Sequence, residues 1–125
     1  MKKVFLGGTC ATSTWRTSLI PMLKIDYFNP VVDEWKPEDY QRELHERETC
    51  DYCLYTITAE MEAVYSIAEV ADDSNKRPEK TVFCVLEEGF SQKQLRGLEA
   101  VAKMVKNNGG QSFKSLREVA DFLNR

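Results

Sequence analysis

The sequence predicts an α/β domain spanning residues 1–125: an open sheet of five parallel strands in the order 2-1-3-4-5, with helices on both faces. Three observations predict it. Short apolar runs alternate five times with helix-patterned stretches along the 125 residues. The third run, YCLYTIT (52–58), is apolar almost without interruption, as suits a strand covered on both faces. Turn and stop signals, Gly7-Gly8, Asn29-Pro30, Gly89 and Asn107 to Gly110, separate the units. Right-handed crossovers then give one parallel sheet.

The elements follow in order. Residues 3–6, KVFL, form a first strand that Gly7 and Gly8 close. The turn after it holds Thr9, Thr12, Ser13, Thr14, Trp15 and Arg16, small and hydroxyl-rich, which lets backbone approach a ligand and leaves amides for an anion. A plain turn is the competing reading. Trp15, Leu19 and Leu23 recur at helical spacing, and Pro21 shortens or kinks that helix. IDYF (25–28) is a second strand, and the loop after it carries Asn29, Asp33 and Trp35.

Pro37 opens a polar helix to about residue 50, with Tyr40 and Leu44 facing inward and His45 solvated. After the third strand, a helix beginning near Ser66 puts Val64, Ile67, Ala68 and Ala71 on an apolar face, and Glu62, Ser66 and Glu69 together on another. DDSNKRPEK (72–80) reads as a loop. TVFCVL (81–86) is a fourth strand, Ser91 caps a helix to about Lys106, Gln111–Phe113 is a fifth strand, and Ser115 starts a final helix.

Composition narrows the function. With 42% hydrophobic and 30% charged residues and a net charge of −3, the chain reads as a globular cytoplasmic protein, and no run is long enough for a membrane span. The 17 basic residues are scattered apart from Lys76, Arg77 and Lys80, so a nucleic acid polymer is not an expected partner. The pair Cys50 and Cys53 ends a helical pattern and enters a strand, the reverse of a thioredoxin-type motif. With only Cys10, His45 and Cys84 to complete a zinc site, no metal and no cofactor is expected. Neither of the glycine-rich nucleotide fingerprints is present.

Ligands of such sheets bind at the carboxyl ends of the strands, where the order reverses between strands 1 and 3. That edge gathers Gly7, Gly8 and Thr9, then Asn29 and Asp33, then Glu62, Ser66 and Glu69. The last group has two readings. Ser66-Ile67-Ala68-Glu69 is S-x-x-E, a capping box contributing roughly 1 kcal/mol. Alternatively, Glu69 is a reactive carboxylate.

KVFLGGT at the start, FNPVV after strand 2 and VYSIAEVADDSNKRP after strand 3 resemble the nucleoside 2-deoxyribosyltransferase-like family over roughly residues 3–90. The resemblance implies cleavage or transfer of an N-glycosidic bond in a (deoxy)nucleoside or its monophosphate, with Glu69 as nucleophile. A carboxylate beneath the anomeric carbon stabilises an oxocarbenium-like state and forms a glycosyl intermediate. Placement near a helix N-terminus keeps it ionised. Glu62 is a second catalytic candidate, and Gly7, Gly8, Thr9, Asn29, Asp33 and Ser66 are candidates for holding substrate.

Relatives often carry glycine where this chain has Ala63 and Val64, and Glu60 and Glu62 repel a 5′-phosphate, which favours a nucleoside unless Arg16 or Lys76 compensates. The resemblance also implies a homo-oligomer. The alternative on the same fold is a non-catalytic module that binds or senses a nucleotide.

Overall fold

The computed structural model describes residues 1–10 and 13–125. Its five strands are β1 (Lys3–Gly8), β2 (Asp26–Phe28), β3 (Tyr52–Ile57), β4 (Thr81–Val85) and β5 (Gln111–Phe113), all parallel in the order β2-β1-β3-β4-β5. Helices α1 (Trp15–Leu19), α2 (Pro37–Thr49), α3 (Tyr65–Lys76), α4 (Gln92–Asn107) and α5 (Leu116–Leu123) connect and finish them. This is the expected Rossmann-like arrangement.

Successive side chains of a strand point to opposite faces, so each central strand feeds two cores. Val4, Leu6, Leu54, Val82 and Cys84 pack with Trp15 and Leu19 of α1 and with Val119, Ala120 and Leu123 of α5. Phe5, Cys53, Tyr55, Ile57, Phe83 and Val85 pack on the other face with Val70 of α3 and Leu98 and Val105 of α4. Among the described residues, no helix is long and apolar enough to cross a membrane.

Local signals set most boundaries. Pro21 sits inside a single 3-10 turn, Ile20–Met22, which ends α1 after five residues. Ser91 Oγ accepts from Gln94 N at 3.1 Å while Gln94 Oε1 accepts from Ser91 N at 2.9 Å, a complete capping box. Ser115 Oγ accepts from Glu118 N at 3.2 Å and starts α5.

Three expectations are corrected. The stretch 72–80 is no loop: α3 continues to Lys76 and a 3-10 turn, Pro78–Lys80, follows. Asp73 and Ser74 are buried there, because Arg47, Tyr55 and Arg77 supply Asp73 with partners that a polar sequence pattern does not reveal. On α2, Tyr40 is 36% exposed and the deeply buried residues are Glu46 and Arg47, drawn inward by ion pairs. On α3, Val64 is 69% exposed and Ala68 is exposed, so the inward face begins at Ile67 and Val70 instead.

His45 is exposed, as expected. The thiols of Cys50 and Cys53 are free and buried, one donating to Glu46 Oε2 and the other to the Arg47 carbonyl. Burial pushes both up to about 12, which makes them inert near neutrality.

Candidate active site

At the carboxyl ends of β1 and β3, a cavity of about 290 Å³ opens between the β1 turn, Glu43 in the middle of α2, and the start of α3. Gly7 and Gly8 form part of its wall, and the demand for glycine comes first from β3. A Cβ on Gly7 would lie 2.7 Å from the Tyr55 ring. Gly8 has φ +115° and lies against the Thr56 backbone, a conformation and spacing closed to other residues. Thr9 then stitches the two strand ends together: its amide donates to the Thr56 carbonyl and its Oγ1 accepts from Thr58 N, both at 2.9 Å.

Arg16 fastens the same turn from below. Its Nε donates to the Leu6 carbonyl at 2.9 Å and its Nη1 to the Thr9 carbonyl at 2.7 Å, while Trp15 Nε1 reaches the Thr9 carbonyl at 2.8 Å. The guanidinium is buried, and among the described residues no carboxylate lies within 4 Å of it. Burial lowers its pKa from the ordinary arginine value.

On the opposite wall, α3 starts at Tyr65, two residues earlier than the S-x-x-E pattern requires. Val64 takes the N-cap position with no side-chain cap, so Ser66 lies within the first turn and the capping box does not form. Glu69 is therefore released from the backbone, and its carboxylate faces the cavity and Arg47, with Oε2 3.6 Å from Nη1.

Arg47 anchors a buried polar cluster behind the cavity. Its Nη2 donates to Asp73 Oδ1 at 3.0 Å and reaches Asp72 at 3.3 Å; Arg77 Nη2 meets the same Asp73 oxygen at 2.6 Å, and the Tyr55 hydroxyl donates to Asp73 Oδ2. Burial alone would raise Asp73, but these hydrogen bonds hold it below the usual aspartate range, so it stays ionised. Glu69 goes the other way: burial raises it to about 7, opposed by Arg47 and reinforced by Glu43 and Asp73. The expectation that helix placement alone keeps Glu69 ionised is thus corrected, because desolvation outweighs a helix-end effect of about 0.3–1 kcal/mol.

Of the residues singled out in the sequence, Gly7, Gly8, Thr9, Glu62, Ser66 and Glu69 line this one cavity. Glu62 does so from the loop before α3, exposed, rather than from a helix face. Asn29 and Asp33 are exposed and do not line it: the Asn29 carboxamide accepts from Val31 N at 3.1 Å, and the loop presents Pro30 instead. Thr12 lies outside the described residues. Lys76 and Arg77 pair with Asp72 and Asp73, and Lys80 donates to the Glu48 carbonyl, which leaves no phosphate-facing patch in that segment.

Glu43, Met61 and Tyr65 also line the cavity, and with Arg47 behind it they escaped sequence reasoning. One signal was available for α2: Tyr40, Leu44 and Arg47 fall at i, i+4 and i+7, one helix face.

No curated protein matches the chain. Residues 1–89 match the family model described as nucleoside 2-deoxyribosyltransferase like, covering β1 through the turn after β4 and with it every wall of the cavity, so the chain belongs to the nucleoside 2-deoxyribosyltransferase-like family.

Proposed function

We propose that this protein cleaves or transfers the N-glycosidic bond of a nucleoside, with Glu69 as nucleophile. The observation that carries this is the freedom of the Glu69 carboxylate: it faces a cavity of about 290 Å³ at the carboxyl edge of the sheet and makes no capping bond. That volume suits one small ligand.

In this mechanism, ionised Glu69 attacks C1′ as the C1′–N bond breaks, the electron pair leaves with the base, and the base takes up one proton from solvent. The product is a glycosyl ester on Glu69. Water or an acceptor base then attacks C1′, releasing the carboxylate and losing one proton to solvent. Arg47 holds the carboxylate in place and favours its charged form. Glu62 and Ser66 are assigned to the sugar hydroxyls or the leaving base, and the glycine turn to close approach of the sugar.

Incubation with deoxyribo- and ribonucleosides tests the proposal by chromatography of free base. Release by wild type that is lost in Glu69→Gln is the expected result; no release from any nucleoside at high enzyme concentration overturns it. A second reading, a sensing module without turnover, is favoured by the shift of Glu69 to about 7, which leaves much of it protonated at neutrality. Nucleotide-induced rises in melting temperature with no base release are its signature. The proposed homo-oligomer is checked by sedimentation at micromolar concentration, where a monomer alone removes it.

A further inference from the structure

The cavity wall carries four carboxylates, Glu43, Glu60, Glu62 and Glu69, and one guanidinium, that of Arg16, whose Nε and Nη1 are committed to main-chain carbonyls; Arg47 behind the wall pairs with Glu69, and among the described residues Glu43, Glu60 and Glu62 have no ion-pair partner. At its mouth stands a row of exposed aromatic rings. Tyr65 lines the cavity and is 54% exposed, its phenol lies beside that of Tyr40, and the Tyr40 ring lies 6.3 Å from that of Trp35, itself 58% exposed. Carboxylates beside aromatic faces form an environment that attracts a delocalised cation and offers little to a phosphate.

We propose that the site selects a nucleoside whose base carries a fixed positive charge, a pyridinium or N-alkylated purine, held by Glu43 and Glu62 and stacked on Tyr65. This rests on the glycosyl-transfer reading and names its substrate class. The charge also simplifies the chemistry. When Glu69 attacks C1′, the C1′–N bonding pair returns to the cationic ring nitrogen, and the base departs neutral without needing a proton. Water then adds to C1′, restoring the Glu69 carboxylate and releasing one proton.

Because a cationic base is also the better leaving group, binding is the cleaner measurement. Calorimetry with 1-methylnicotinamide and with neutral nicotinamide compares the two charges on nearly one shape, using wild type, Glu43→Gln and the exposed-site variant Glu62→Gln. The expected result is at least about tenfold tighter binding of the cation, with the preference falling about threefold or more in Glu62→Gln. Equal affinities, no detectable binding of the cation, or a preference unchanged in both variants overturns the proposal.

Base release from inosine and from nicotinamide riboside is followed in parallel. Glu69-dependent release from inosine without any cation preference overturns the charge selection and leaves glycosyl transfer standing. A cation preference with no release from either nucleoside supports the charge selection and removes the glycosyl-transfer reading.

Discussion

The two halves of the sheet are held by different forces. From β4 onward, α4 and α5 begin at side-chain caps, Ser91 and Ser115, and bury apolar residues: Leu98, Val105, Val119 and Leu123. In the half that carries the cavity, α3 begins without a side-chain cap, and α2 meets it through Arg47, which pairs with Glu69, Asp72 and Asp73. An apolar contact tolerates small shifts, whereas a guanidinium between carboxylates fixes positions and protonation states together. The second half is built for stability, and the first places charge at the edge where ligands bind.

The largest test of that contrast is Glu69→Gln. We expect loss of base release by about 10⁴-fold or more, the scale of removing a nucleophile. Its stability should move the opposite way. A carboxyl raised from 4.5 to about 7 favours the fold at low pH and loses that contribution as pH rises through this window. At pH 8 the variant should therefore melt higher than wild type, by up to roughly 3 kcal/mol. A lower melting temperature at pH 8 would show that the ion pair with Arg47 outweighs desolvation.

Asp73→Asn comes next. It takes from Arg77 its ion-pair partner and from Arg47 the most buried of its three carboxylates, leaving Asp72 and Glu69, and a loss of about 3 kcal/mol is expected in denaturant melts. Replacing a buried apolar residue of α5 should cost a similar amount without touching the cavity, so activity per folded molecule separates the two halves. If Asp73→Asn keeps full turnover, Arg47 does not depend on Asp73 to hold Glu69.

The pH profile is a smaller effect. Glu69 faces Arg47 and Glu43 from α2 and has Tyr65 and Asp73 beside it on α3. As the nucleophile acts only when ionised, kcat/KM should rise with pH through about 7 and fall about tenfold per unit below it. A flat profile from pH 5 to 8 would count against Glu69. The smallest effect is Ser91→Ala, expected to cost about 1 kcal/mol with turnover unchanged, since the cap lies outside the cavity.

Much of the site was legible one residue at a time. Gly7, Gly8, Glu62, Ser66 and Glu69 stand out as a turn and a carboxylate-bearing segment at the predicted edge, and they do share one cavity. What sequence reasoning missed lies across the chain from them. Asn29 and Asp33 were placed at the edge by strand order alone, but the loop curls so that Pro30 faces in. Glu43 and Arg47 belong to a helix whose polar pattern resembles a solvated surface, and only the carboxylates of α3 make it an inner one.

The amino-acid sequence by itself determined the five strands, their parallel order and the two-sided core, because periodicity, proline, glycine and capping residues act over a few positions. Tertiary structure alone decided that α3 starts at Tyr65, so that Glu69 is free of its backbone, and that Arg47 reaches it from 22 residues away. Pairing between charges so far apart depends on how two helices settle on the sheet. The electrostatic energy of a charge depends on how much water remains around it, and no local pattern encodes that.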